Sequence, residues 1–114
     1  MKYILTESQN IKRMVLRRAS NIDAMLPRSQ RMVTKYYDIC ERGFEHFMNM
    51  VCDEICEVMF MDYFYDVEED SQEYIDIVTS IYNYVESKHT DDIKNYYKSW
   101  CGMHKNNNSK PPQK

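Results

Sequence analysis

Phe44-Glu45-His46-Phe47-Met48-Asn49-Met50-Val51-Cys52-Asp53-Glu54-Ile55-Cys56-Glu57-Val58-Met59-Phe60-Met61-Asp62-Tyr63-Phe64-Tyr65 is the longest stretch of this chain that repeats apolar side chains at helical spacing. Phe44, Phe47, Met48, Val51, Ile55, Val58 and Met59 fall within about one third of a helical wheel, with Glu45, Asn49, Asp53 and Glu57 opposite them. The pattern predicts a central helix over residues 44–65 with one wet face, packed into a core by whatever flanks it.

The flanking composition points the same way. A chain of 114 residues is one domain long and can bury a core of its own. It holds two glycines and three prolines, two of the prolines among the last four residues, which is too little turn punctuation for a many-stranded fold. The expected fold class is all-α, a single small bundle of four to five helices over residues 1–102. Only Lys2-Tyr3-Ile4-Leu5 could form a short extended segment. Residues 103–114 read as a disordered basic tail. No apolar run approaches the ~18 residues of a membrane span, and Met1 to Leu5 is too short for the apolar region of a signal peptide. The expectation is a cytoplasmic protein that does not enter a membrane.

Local signals divide the rest. Thr6 and Gln9 form a capping box that starts helix one at Glu7, and Leu26-Pro27 ends it. Ser29 opens a second, shorter helix through Tyr37. A break is expected over residues 38–43, because Gly43 costs about 1 kcal/mol inside a helix. The charge run 66–70 is a loop, and Asp70 with Glu73 caps a helix ending near Lys88. Thr90 caps a last short helix that Gly102 stops.

The opening Met1-Lys2-Tyr3-Ile4-Leu5-Thr6-Glu7-Ser8-Gln9, followed by a basic amphipathic helix, resembles the start of small uncharacterised proteins of tailed bacteriophages. The likeness covers under a tenth of the chain. It implies a phage-encoded protein of the host cytoplasm or the virion and brings no catalytic residues with it.

Few constellations here could carry chemistry. Cys52 and Cys56 share a helix face, and Cys101 and His104 are close in sequence, so the four could surround a zinc ion if the C-terminal turn packed beside the central helix. The tight knuckle turns of zinc modules are missing around them. Buried, reduced thiols are the expectation, with no metal and no cofactor. Asp66, Glu68 and Asp70 imitate the start of a calcium loop, but Ser71 stands where glycine is needed and Ile77 where the bidentate Glu belongs. His46 and His89 read as surface residues without a spaced nucleophile, so no catalytic residue is assigned.

Charge is segregated. Residues 1–35 carry eight Lys or Arg against two acids, residues 36–92 two against sixteen, and residues 93–114 five against none. These regions either neutralise one another within the fold or face partners of opposite sign. Two functions follow. The first is a non-enzymatic protein-interaction role through Tyr63, Phe64 and Tyr65, which cannot all point inward from one helix. The alternative is nucleic-acid binding through Arg13, Arg17, Arg28, Arg31 and Lys35. Arg18 and Asp62 each fall on an apolar stripe of a wheel, and the simplest expectation is that they face each other as an ion pair.

Overall fold

A computed structural model describes the backbone of residues 7–109 and the side chains of residues 10–102. The expected extended segment at residues 2–5 and the Thr6–Gln9 capping box lie outside the described side chains. Four helices make up the fold: α1 (Glu7–Arg17), α2 (Ala19–Tyr36), α3 (Phe44–Asp62) and α4 (Gln72–Ser109). The protein is a small all-α bundle, without a strand among the described residues.

The bundle is built on α4. Ile77, Ile81, Val85, His89 and Ile93 are all buried, at steps of four residues. Each such step overshoots a full turn by about 40°, so the buried stripe winds roughly 160° around the helix. One neighbour cannot cover such a stripe, and α1, α2 and α3 all pack on α4. The central helix matches its pattern, burying Phe47, Met48, Val51, Cys52, Ile55, Cys56 and Met59, although it ends at Asp62 rather than Tyr65.

The boundary before α3 falls where expected. Gly43 is its N-cap at φ +93°, a conformation that L side chains rarely adopt, and a Cβ there would meet nothing within 4 Å. The demand for glycine is therefore purely conformational. Gly43→Ala is expected to cost about 1–2 kcal/mol in a denaturant titration, with the slope unchanged.

Other expected boundaries are corrected. Helix one does not run to Leu26. The chain kinks at Arg18, whose N–H bonds to the Val15 carbonyl at 2.9 Å, and α2 then runs straight through Pro27. An interior proline costs about 3 kcal/mol. Leu26 and Val33, buried on either side of it, return ~1.5–3 kcal/mol each, which decides for continuity. The kink itself turns α1 towards α4 and lets α2 lie on α3.

Nor does α4 stop near Lys88 or at Gly102. The Thr90 hydroxyl bonds back to the Glu86 carbonyl instead of capping a new helix, and the helix continues to Ser109. Residues 103–109, expected to be disordered, are thus helical; residues 110–114 lie outside the described chain. The cap of α4 is displaced by one residue. Ser71, not Asp70, accepts the Tyr74 N–H at 3.1 Å and donates to the Glu68 carbonyl at 2.7 Å, while Asp70 takes a left-handed φ of 68°.

The cysteines are not all reduced. Cys40, in the α2–α3 connection, is bonded to Cys101 of α4, with Cα atoms 5.6 Å apart. Compartment arguments from the sequence could not foresee that Ile39 joins the buried core and that the Tyr97 hydroxyl donates to the Cys40 carbonyl at 3.3 Å, which hold this connection against α4. Cys52 and Cys56 are free and buried. Without reductant, a thiol assay should find close to no reactive thiol in the native protein and two per chain after denaturation. Four after denaturation would mean no bridge. Joining residues 61 apart, the bridge is expected to contribute ~2–4 kcal/mol, measured as the loss in Cys40→Ser/Cys101→Ser.

Candidate functional site

The last turns of α3 and the first turns of α4 diverge around the loop 63–71, leaving a groove of about 590 Å³. That volume falls in the range of ligand and anchor pockets. Phe60 forms its floor, stacked on Tyr74 with ring centroids 4.5 Å apart and meeting Phe64 edge-on at 6.0 Å. Val67 and Val78 complete the apolar lining. Asp53, Glu57 and Glu69 stand at the rim, and Met61 and Tyr65 at the mouth are 70% and 78% exposed.

The ordering of this site follows from local sequence. Asp53, Glu57, Phe60 and Phe64 recur at steps of three or four, so they share one side of α3 and its C-terminal extension. The Tyr63 and Phe64 N–H groups both bond to the Met59 carbonyl, at 2.8 and 3.2 Å, and the Val67 N–H bonds to the Phe64 carbonyl at 3.1 Å. The loop is therefore a hydrogen-bonded wall. Tyr82 donates to the Asp53 carboxylate, and burial together with that bond pushes its phenol up in pKa.

Cys56 reaches the groove. Burial, reinforced by the neighbouring Cys52 and Asp53, pushes its thiol well above the usual range; Cys52, buried likewise, is pushed up to about 12. A thiol held protonated by burial is a poor nucleophile. In the conceivable zinc set Cys101 is bonded to Cys40 and so is not a free thiol, and the His104 side chain lies outside those described. Among the described residues no three His, Cys, Asp or Glu side chains are placed to hold a metal ion.

The aromatic trio expected to bind a partner is split. Tyr65 and Phe64 line the groove, Phe64 being buried as its wall, whereas Tyr63 points to the other side. There the Arg18 guanidinium sits 4.2 Å above the Tyr63 ring, in a second recess of about 500 Å³ shared with Arg17, Asp66 and Glu73. The Arg18–Asp62 ion pair is therefore not formed; both residues are exposed, and Arg18 finds a ring instead. The wheel that placed Arg18 on an apolar stripe assumed one continuous helix, and the kink at Arg18 removes that premise. Sequence reasoning missed Phe60, Met61, Tyr74 and Val78: Tyr74 and Val78 fall on the apolar stripe of their helix and read as core, while Phe60 stands on the wet face with Asp53 and Glu57, a signal that could have found it.

The basic candidates Arg13, Arg17, Arg28, Arg31 and Lys35 are all exposed. Arg28, Arg31 and Lys35 share one face of α2 by their spacing. Arg13 and Arg17 lie beyond the kink on α1.

One further cluster joins α2 to α4. Asp23 accepts from His89 Nε2 at 2.6 Å, from the Tyr84 hydroxyl at 2.8 Å and from Lys88 Nζ at 3.1 Å, and His89 Nδ1 lies 3.2 Å from Asp92. His89 is thus a buried helix-to-helix link, not the surface residue expected. Burial alone would raise the Asp23 pKa, but the bonds from His89, Tyr84 and Lys88 outweigh it and hold the carboxyl below its ordinary value of 3.8. A lowered folded-state pKa contributes stability that is present above the unfolded value and is lost as pH falls through the folded one. Asp23→Asn should accordingly destabilise at pH 7, and its deficit relative to the parent should shrink below about pH 4 in melting experiments.

No family model matches this chain, and no match is found among curated proteins or solved structures.

Proposed function

We propose that this is a non-enzymatic helical interaction protein, and that another protein docks in the groove between the end of α3 and the start of α4. The observation that carries the reading is the gathering of exposed apolar side chains at that end. Of the six large apolar residues left exposed among the described ones, Met61 and Tyr65 line the groove and Ile75 lies on the first turn of α4, next in sequence to Tyr74 of the lining. Exposed aromatic and methionine side chains around a preformed pocket are what an anchor residue of a partner would use. The Cys56 thiol in the lining is pushed up in pKa by burial, which favours binding over thiol chemistry there.

Phage origin rests on the N-terminal resemblance. Of the two locations it implies, the Cys40–Cys101 bridge favours the virion, since disulfides persist in oxidising surroundings. No helix of the described residues is long and apolar enough to cross a membrane.

A photo-reactive phenylalanine in place of Tyr65 should give one discrete protein adduct in the cells that make the protein, and the same group at exposed Ser99 should give none. Excess unlabelled protein should compete the adduct away, and the variant Met61→Ser/Tyr65→Ser should not. Equal labelling from both positions would contradict the proposal.

Nucleic-acid binding is the second reading, favoured by Arg28, Arg31 and Lys35 on one exposed face of α2, none of them in an ion pair with another described residue. It requires gel-shift affinity that falls steeply with salt and is lost on neutralising those three side chains.

A further inference from the structure

We infer that the segment seated in the groove is cationic: an amphipathic helix of the partner that lays an apolar anchor on Phe60 and Tyr74 and turns Lys or Arg side chains to the rim. This rests on the docking reading above and adds the chemistry of the partner to it.

The argument begins with charge that the fold leaves unbalanced. Asp53, Glu57 and Glu69 line the groove, and Glu68 and Asp70 flank Glu69 in the loop behind it. Residues 36–92 contain only two bases, Arg42 and Lys88, against sixteen acids. Lys88 is held by Asp23, at the α2–α4 contact. Every ion pair among the described residues belongs to that cluster, and none includes a rim carboxylate. Asp53 receives a phenol hydrogen bond from Tyr82, which solvates its charge without cancelling it.

An occupant must cover these carboxylates when it covers the apolar floor. A neutral or acidic segment would strip water from them and return no counter-charge, which is costly. Lysine or arginine supplies the counter-charge while its methylene stem packs on the aromatic lining. The ring faces add attraction for a cation, as the Arg18–Tyr63 stack does on the far side of the Phe64 wall. A helix is the fitting form, because the groove lies between two helices and presents no sheet edge for a strand to extend.

The test uses three labelled helical peptides of about 16 residues, alike in Leu and Phe anchors at positions i, i+4 and i+7, with Lys, Gln or Glu at the remaining polar positions. Fluorescence anisotropy with the full chain should rank Lys tightest, about ten-fold over Gln at low salt, with Glu weakest. The advantage of Lys should narrow as salt rises. Glu57→Gln/Glu69→Gln should bring the Lys peptide to the level of the Gln peptide and leave the Gln peptide unchanged. Met61→Ser/Tyr65→Ser should weaken both. Equal affinity for Lys and Gln peptides overturns the cationic partner and leaves docking standing. Undiminished Lys-peptide binding by Met61→Ser/Tyr65→Ser shows adsorption to surface charge and overturns the groove as its seat. Binding of no peptide sinks the docking reading and this one with it. Concentration-dependent self-association in light scattering, lost in Met61→Ser/Tyr65→Ser, would replace the external partner by a second copy.

Discussion

A buried stripe that winds around a helix cannot be covered from one side, and this constraint on α4 arranges the rest of the molecule. Ile77 to Ile93 turn through nearly half the circumference, so α1, α2 and α3 each take a share of the cover. Four of the five stripe residues are aliphatic and would tolerate neighbouring registers. The fifth is His89. A buried imidazole needs partners for its nitrogens, and Asp23 meets Nε2 at 2.6 Å from α2. Sliding α2 by a turn would strand both groups, so this one polar contact specifies the register that the apolar contacts leave open.

The two ends of the bundle are finished differently. At the Cys101 end, Tyr97 meets Phe44 edge-on at 5.8 Å, Tyr96 stacks on Phe47 at 5.9 Å, and the disulfide ties α4 to the connection ahead of α3. At the other end only the loop 63–71 connects α3 to α4, with no disulfide to brace it. The aromatic set there, Phe60, Phe64 and Tyr74, has one buried ring and two half-buried ones, like Phe47 with Phe44 and Tyr97 at the first end, and it lines the larger groove without a disulfide beside it.

How much of this could be read from the chain differs by level. The central helix, the break before Phe44 and the charged loop were legible because each rests on a strong periodic or conformational signal. Two of the errors share one cause. Pro27 and Thr90 are local stop signals worth a few kcal/mol at most, and burial of Leu26 and Val33 around the first and of His89 and Ile93 around the second outweighed that. Disulfide pairing was illegible because it depends on which loop lands on which helix. Within the groove, Phe64 and Tyr65 were named in advance, while the acids beside them were read only as a wet face and a charged loop. Tyr74 could not be named, since spacing cannot tell a core residue from one that borders a groove.

The loop Tyr63-Phe64-Tyr65 shows how the open end keeps its shape. Three successive aromatic side chains just past the end of α3 take different directions, so they serve three purposes instead of one. Tyr63 is held beneath the Arg18 guanidinium, which ties the loop to the kink between α1 and α2. Phe64 is buried and lines both recesses, forming with Val67 the partition between them. Tyr65 is left outside, 78% exposed. Because the first two are fixed by the bundle, the third is presented from a rigid base, and a partner gripping Tyr65 has little ordering entropy of the loop to overcome. The failed ion pair and the groove therefore have a common origin: the kink that takes Arg18 off the apolar stripe is what places it over Tyr63 and fixes the wall behind the site.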